Sequence, residues 1–308
     1  MRTLMNTIIL LASFAILCAC LWAASHLGTP AMLLAAWLFC LFANTPFALM
    51  HEAVHGVASA SPRWNTFLGI VAGWAFPTSF CMQRVAHLGH HRRNRTDQEL
   101  YDYYLPRQSR LVRNGWLYLG NLLGLYWWSV IFSNLLYLAA PWAWHSRFFV
   151  QRLAPALGFG PYVAELASVL PARLWGELAL AFLWQGAMFY MLDLAFWPTL
   201  LCYAAFATHW SVLQYANHAW SARDVQNGAW NLKVLPPSRW IALNYHYHRA
   251  HHQHPELPWY ALPQAVDRNE RQPSFWRVYW SLWKGVRPAP PMGAPDDIGY
   301  LFPARQKG

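Results

Sequence analysis

Of the 14 histidines in the chain, eleven gather in four places: His51 and His55; His87, His90 and His91; His218; and the stretch from His246 to His254. Residues three and four apart on a helix share a face. His51 and His55 stand at i and i+4, while His87/His90/His91 and His248/His251/His252 each stand at i, i+3, i+4, so each set projects imidazoles to one side. Imidazole suits iron, zinc, copper and nickel, which leaves the metal open. The number of ligands says more. Two HxxHH sets and one HxxxH supply eight imidazoles, too many for one four- to six-coordinate ion and suited to two. A dinuclear centre is therefore the economical expectation, since metal-free interfacial histidines would leave the repeated spacing without a cause. His26 and His145 read as such interfacial residues, and His209 as a packed one.

The elements that must position these clusters are membrane helices. The 308 residues are 56% hydrophobic and 12% charged, against roughly 25% charged in a soluble domain, which excludes a fold around one water-soluble core. About 20 residues of helix cross a ~30 Å hydrocarbon layer. Apolar runs of that length cover about 7–26, 30–50, 176–197 and 198–214, with the fourth helix continuing to Trp220. The fold class predicted is an all-α integral membrane protein: four transmembrane helices in two hairpins, one domain over 1–308, and a Pro-rich tail of about 287–308 leaving the packed part. The apolar stretches 64–80 and 115–142 are broken by Gly and Pro or dense in Trp and Tyr, and read as interfacial or re-entrant. A cleaved signal peptide is a poorer account of the first run, because a second span follows at once.

Cations decide the sidedness. All 23 Lys and Arg are Arg2, eleven Arg between Met50 and Gly176, and eleven cations after His218; the turns 24–30 and 193–199 have none. Cytoplasmic loops carry the excess of Lys and Arg. Both termini, the middle segment and a histidine-rich cap carrying the active site are thus expected on the cytoplasmic side of a multi-pass protein. The formal charge of +10 favours anionic lipid or an acidic partner, with Arg84, Arg92, Arg93 and Arg95 as a cytoplasmic anchoring cluster. Five cysteines in apolar stretches indicate neither disulfides nor a cysteine-based zinc site.

HEAVH (51–55), HLGHH (87–91) and NYHYHRAHHQHPELPWYALP (244–263) resemble the three histidine boxes of the membrane fatty-acid desaturase and hydroxylase family. The third is the most specific, with Asn244, Tyr247, His248, His251, His252, Pro255 and Pro258 matching N-x-x-Y-H-x-x-H-H-x-x-P-x-x-P; Arg249 and Ala250 depart from the acidic residue often found inside that box. The resemblance implies two iron ions held by His51, His55, His87, His90, His91, His218, His248, His251 and His252, with O₂ as co-substrate acting on an unactivated C–H bond. It also implies that Gln214, one turn before His218, holds a metal-bound water, with Gln in place of the usual Asn. Glu52 is expected to orient a ligand imidazole, a role that Asp97, Glu99 or Asp102 could share, and Asn217 and Asn244 to hydrogen-bond near the site.

The implied reaction is oxidation of an acyl or lipid chain, with desaturation favoured over hydroxylation or loss of a terminal carboxyl as an alkene. The chain holds no G-x-G-x-x-G fingerprint between strand and helix and no Cys set for an iron–sulfur centre. A separate ferredoxin, rubredoxin or cytochrome-type electron donor is therefore expected on the basic face, and no nucleic acid. The rival chemistry is a membrane zinc metallopeptidase, because HEAVH also spells H-E-x-x-H with Glu52 as base. It would leave both HxxHH sets unused, and a non-catalytic scaffold would leave every cluster unused.

Overall fold

The computed structural model describes residues 1–156, 159–267 and 269–302, so the end of the tail, 303–308, lies outside the described residues. In chain order the helices are α1 (Arg2–His26), α2 (Thr29–Phe42), α3 (Asn44–Val54), α4 (Pro62–Ala75), α5 (Phe80–Arg93), α6 (Arg110–Gly115), α7 (Leu125–Ala139), α8 (Pro141–Trp144), α9 (Ala154–Ala156), α10 (Gly160–Leu166), α11 (Pro171–Met191), α12 (Phe196–Ala216), α13 (Pro236–Ile241), α14 (His248–Gln253), α15 (Leu262–Ala265), α16 (Phe275–Leu282) and α17 (Ile298–Leu301). The chain is mostly helical. Its two short strands, β1 (Tyr103–Tyr104) and β2 (Arg287–Pro288), pair in parallel. Two compact units result: residues 1–89 with 127–207, and residues 90–126 with 208–308.

In the first unit, α1 is mostly apolar after Arg2 and ends where Gly28 takes φ +79, a left-handed value that suits glycine, before Pro30 opens α2. Helices α2 and α3 together run Thr29–Val54, and this stretch and α1 are each long and apolar enough to cross a membrane. Two broken pairs raise the possible spans to four: α6 and its π-helical extension with α7, and, within the first unit, α10 with α11, bent by 106°. The first pair falls on the expected re-entrant stretch at 115–142, and the break is at Gly124, with φ +85. Phe39, Phe76, Trp127, Tyr203 and Phe206 pack edge-on or stacked with ring centroids 5.0–6.5 Å apart.

The expected third span starts too late. Helix α11 begins at Pro171 and includes Arg173 and Glu177, because Glu177 is buried as a hub: it accepts from the Ser79 hydroxyl (2.8 Å), the Cys81 N–H (2.8 Å), the Cys81 thiol (2.9 Å) and Arg173 Nε (3.0 Å). A charge so compensated need not end a helix.

The second unit is built on buried Trp220 and Trp230 with Leu117, Tyr215, Val278 and Leu282. Helix α12 stops at Ala216 rather than running on to Trp220, which takes φ +64 and donates its N–H to Asp102 at 2.6 Å. The tail also departs from expectation. β2 pairs with β1, the Gly293 N–H bonds the Arg223 carbonyl at 2.9 Å, and Leu301 is buried, so residues 287–302 are part of this unit. Proline-rich composition suggested departure, but backbone pairing holds the segment in place. Arg95 is likewise no surface anchor: it is buried and bonds Asp102 with two nitrogens, at 2.6 and 3.0 Å.

Candidate metal centre

Each histidine set sits where a helix ends. His51 lies in the last turn of α3, whose residues are all buried, and His55 caps it; His87 comes from α5. In the first unit these three rings form a triangle, with centroids 5.1 Å (His51–His55), 4.3 Å (His51–His87) and 4.9 Å (His55–His87) apart. One nitrogen from each lies within 4.8 Å of the others. Glu52, which follows His51 on α3, is buried.

The second unit holds the remaining six ligand candidates. His90 and His91 come from the last turn of α5, His218 from the turn after α12, and His248, His251 and His252 from α14. His218 Nε2 lies 3.0 Å from His248 Nε2 and 3.2 Å from His90 Nε2, which is 3.3 Å from His252 Nε2. His91 and His251 face each other at 3.0 Å between Nε2 atoms, and the His91 ring stacks on His252 at 4.2 Å.

These spacings fit a metal. Two imidazoles bound at about 2.1 Å to one ion have nitrogens roughly 3.0 to 3.4 Å apart. The far side of the rings points the same way. His90 Nδ1 lies 2.8 Å from the Glu99 carboxylate and His218 Nδ1 lies 2.8 Å from the Gly228 carbonyl, so each carries its proton on Nδ1 and turns an Nε2 lone pair inward. Burial, and then the charge of the neighbouring imidazole, holds His218 and His252 well below the ordinary histidine pKa. His218 and His252, kept neutral by burial, suit a cation other than a proton.

Glu99 also accepts from the Tyr101 hydroxyl at 3.0 Å, and burial pushes that phenol well above its usual range, so it remains a donor. Gln214 Oε1 accepts from the Tyr245 hydroxyl at 2.8 Å, and the Tyr245 ring is 4.9 Å from that of His248. Asn217 is fully buried, and its side-chain amide has no hydrogen-bond partner among the described residues. Asp97 is 64% exposed and pairs with buried Arg223, and Asn244, at φ +57, donates to the Trp259 carbonyl at 3.1 Å.

Arg249, the basic residue inside the third set, is clamped by both Asp296 oxygens at 2.7 Å and by Glu270 at 3.1 Å, and its Nε donates to the Ala229 carbonyl. The charge that departs from the usual box pattern is balanced from the C-terminal segment. Sequence reasoning missed that clamp, the Gly228 acceptor and Tyr245. Asn227-Gly228 signals a turn, but nothing in the sequence says that its carbonyl meets His218.

The family model for fatty acid desaturases matches residues 27–283, which include all three histidine boxes. The chain belongs to the fatty acid desaturase family. It is a membrane protein and an oxidoreductase acting on fatty acyl or lipid chains, and the peptidase reading of HEAVH falls away. No curated protein matches the chain significantly.

Proposed function

We propose that this fatty acid desaturase family member is a di-iron, O₂-dependent enzyme that introduces a double bond into an acyl chain. The observation that carries the reading is the cluster of His90, His218, His248 and His252, whose ligand nitrogens all lie within 4.8 Å of one another. These four would hold one iron. His51, His55 and His87 supply ligands for a second, and His91 and His251 complete the set of nine. When bound, the irons would supply the oxidising power to remove hydrogen from an unactivated C–H bond using O₂ and two external electrons.

The protein's own part is orientation. Glu99 and Gly228 fix the tautomers of His90 and His218, and Arg249, clamped by Asp296 and Glu270, fixes the turn that starts α14. Gln214, held by Tyr245, is the residue that would carry a metal-bound water. Glu52, buried between two ligands in sequence, would orient one of them. Asn217 is a further polar group next to His218 in sequence.

The reading includes four spans with both termini and the active site on the cytoplasmic side. Its support is the cation distribution, the two clear spans, the bent α10–α11 pair, and a 21-residue α12 without a charged residue. A soluble ferredoxin, rubredoxin or cytochrome-type protein would deliver electrons to the basic face. Desaturation is favoured over hydroxylation and alkene-forming decarboxylation, and mass spectrometry of products made with a reductase system and several acyl substrates tests it. A product two hydrogens lighter supports the reading. A product heavier by one oxygen, or one carbon shorter, would replace desaturation with its alternatives.

A further inference from the structure

Helix α16 turns Val278, Ser281 and Leu282 into the core of the second unit and leaves Trp276 and Trp280, one turn apart, 55% and 62% exposed. An outward face is ordinarily polar, so two exposed indoles on it ask for a partner. Beside them lies a groove of about 370 Å³, lined by Trp276, Arg277, Trp280, Lys284, Tyr300 and Leu301. Its cations rest on aromatic faces rather than on carboxylates. The Arg277 guanidinium lies 4.4 Å from the Phe302 centroid and bonds the Leu301 carbonyl at 3.1 Å, and the Lys284 ammonium lies 5.1 Å from the Tyr300 centroid.

Arg95, Arg223, Arg249 and Arg287 of the same unit are each paired with an acidic side chain. Among the described residues, neither Arg277 nor Lys284 has such a pair. The groove thus offers two uncompensated positive charges, pre-positioned by aromatic rings, next to two exposed indoles. Cations of this kind meet lipid phosphate, and indoles settle at the level of the head groups. A concavity of this size has room for one head group.

We propose that this groove binds the head group of an anionic phospholipid, with the phosphate on Arg277 and Lys284 and the glycerol and upper acyl region against Trp276 and Trp280. The site is separate from the histidine clusters and does not depend on the metal reading. It would retain a specific lipid on a chain that is already embedded in the bilayer.

Native mass spectrometry of the full chain in detergent, with added phosphatidylglycerol, phosphatidylcholine of the same acyl chains, or inorganic phosphate, tests it. Wild-type protein should retain phosphatidylglycerol in preference to phosphatidylcholine, and inorganic phosphate should not displace it. Arg277→Gln with Lys284→Gln should weaken retention by roughly fivefold per cation. Lys284→Glu, a change at an exposed position, should do so without lowering the melting temperature. Equal retention of the two lipids, or unchanged phosphatidylglycerol retention in Lys284→Glu, would overturn the proposal. Displacement by inorganic phosphate would make this a phosphate site instead. Loss of donor-supported turnover with unchanged lipid retention would give the groove to an acidic protein, and would overturn it too.

Discussion

His218 Nδ1 lies 2.8 Å from the carbonyl oxygen of Gly228, and that contact commits the ring's Nε2 to the cluster it shares with His90, His248 and His252. The acceptor is a backbone atom, so only the path of the loop can move it. A Cβ at Gly228 would collide with the Arg95 side chain and the Asp224 carbonyl, both held in place. Gly228→Ala is therefore expected to lower bound metal and activity together, by about 10- to 100-fold in affinity or rate. Metal analysis beside a turnover assay checks this. Full metal content with normal activity would show that the contact does not set the ring.

Glu99→Gln keeps the shape of the side chain that meets His90 Nδ1 and Tyr101 but removes its charge. The expected outcome is a loss of roughly 10-fold or more in metal affinity, with the secondary structure intact. Metal titration followed by circular dichroism measures both. Unchanged affinity would reduce Glu99 to a packing role.

Asp296→Ala removes the bidentate partner of Arg249, leaving Glu270 as its acidic contact. Both groups are mostly buried, at 14% and 23% side-chain exposure, so about 2 kcal/mol of stability should be lost, seen as a lower melting temperature. The same change should loosen α14, which contains Arg249, and so lower metal retention. An unchanged melting temperature would mean that Glu270 alone suffices.

The sequence made local relationships legible and distant ones not. Spacing at i and i+3 or i+4 is a property of one helix, and HEAVH, HLGHH and HRAHH could be read as ligand faces because neighbours along the chain build them. The end of α12 was not legible. Trp220 leaves the helix to bond Asp102, 118 positions away, and no local signal reports that pull. Glu177 would ordinarily mark the edge of an apolar run, yet Ser79 and Cys81, almost a hundred residues earlier, supply the donors that bury it. The role of Asp296 was hidden in the same way, behind a proline-rich stretch that β-pairing holds in place.

The proposed sidedness has its own test. Single-cysteine accessibility labelling should place residues near Arg92 and Arg249 on the cytoplasmic side and the turns near Gly28 and Trp197 on the opposite side. Labelling of position 92 from outside would mean that an additional stretch crosses the membrane, and the four-span proposal would fail.

Metal stoichiometry of the purified full-length protein tests the central claim most directly. The account predicts about two irons per chain, with His90→Ala and His251→Ala each lowering iron content and acyl-chain conversion together. Stoichiometric zinc without iron in active protein would contradict it.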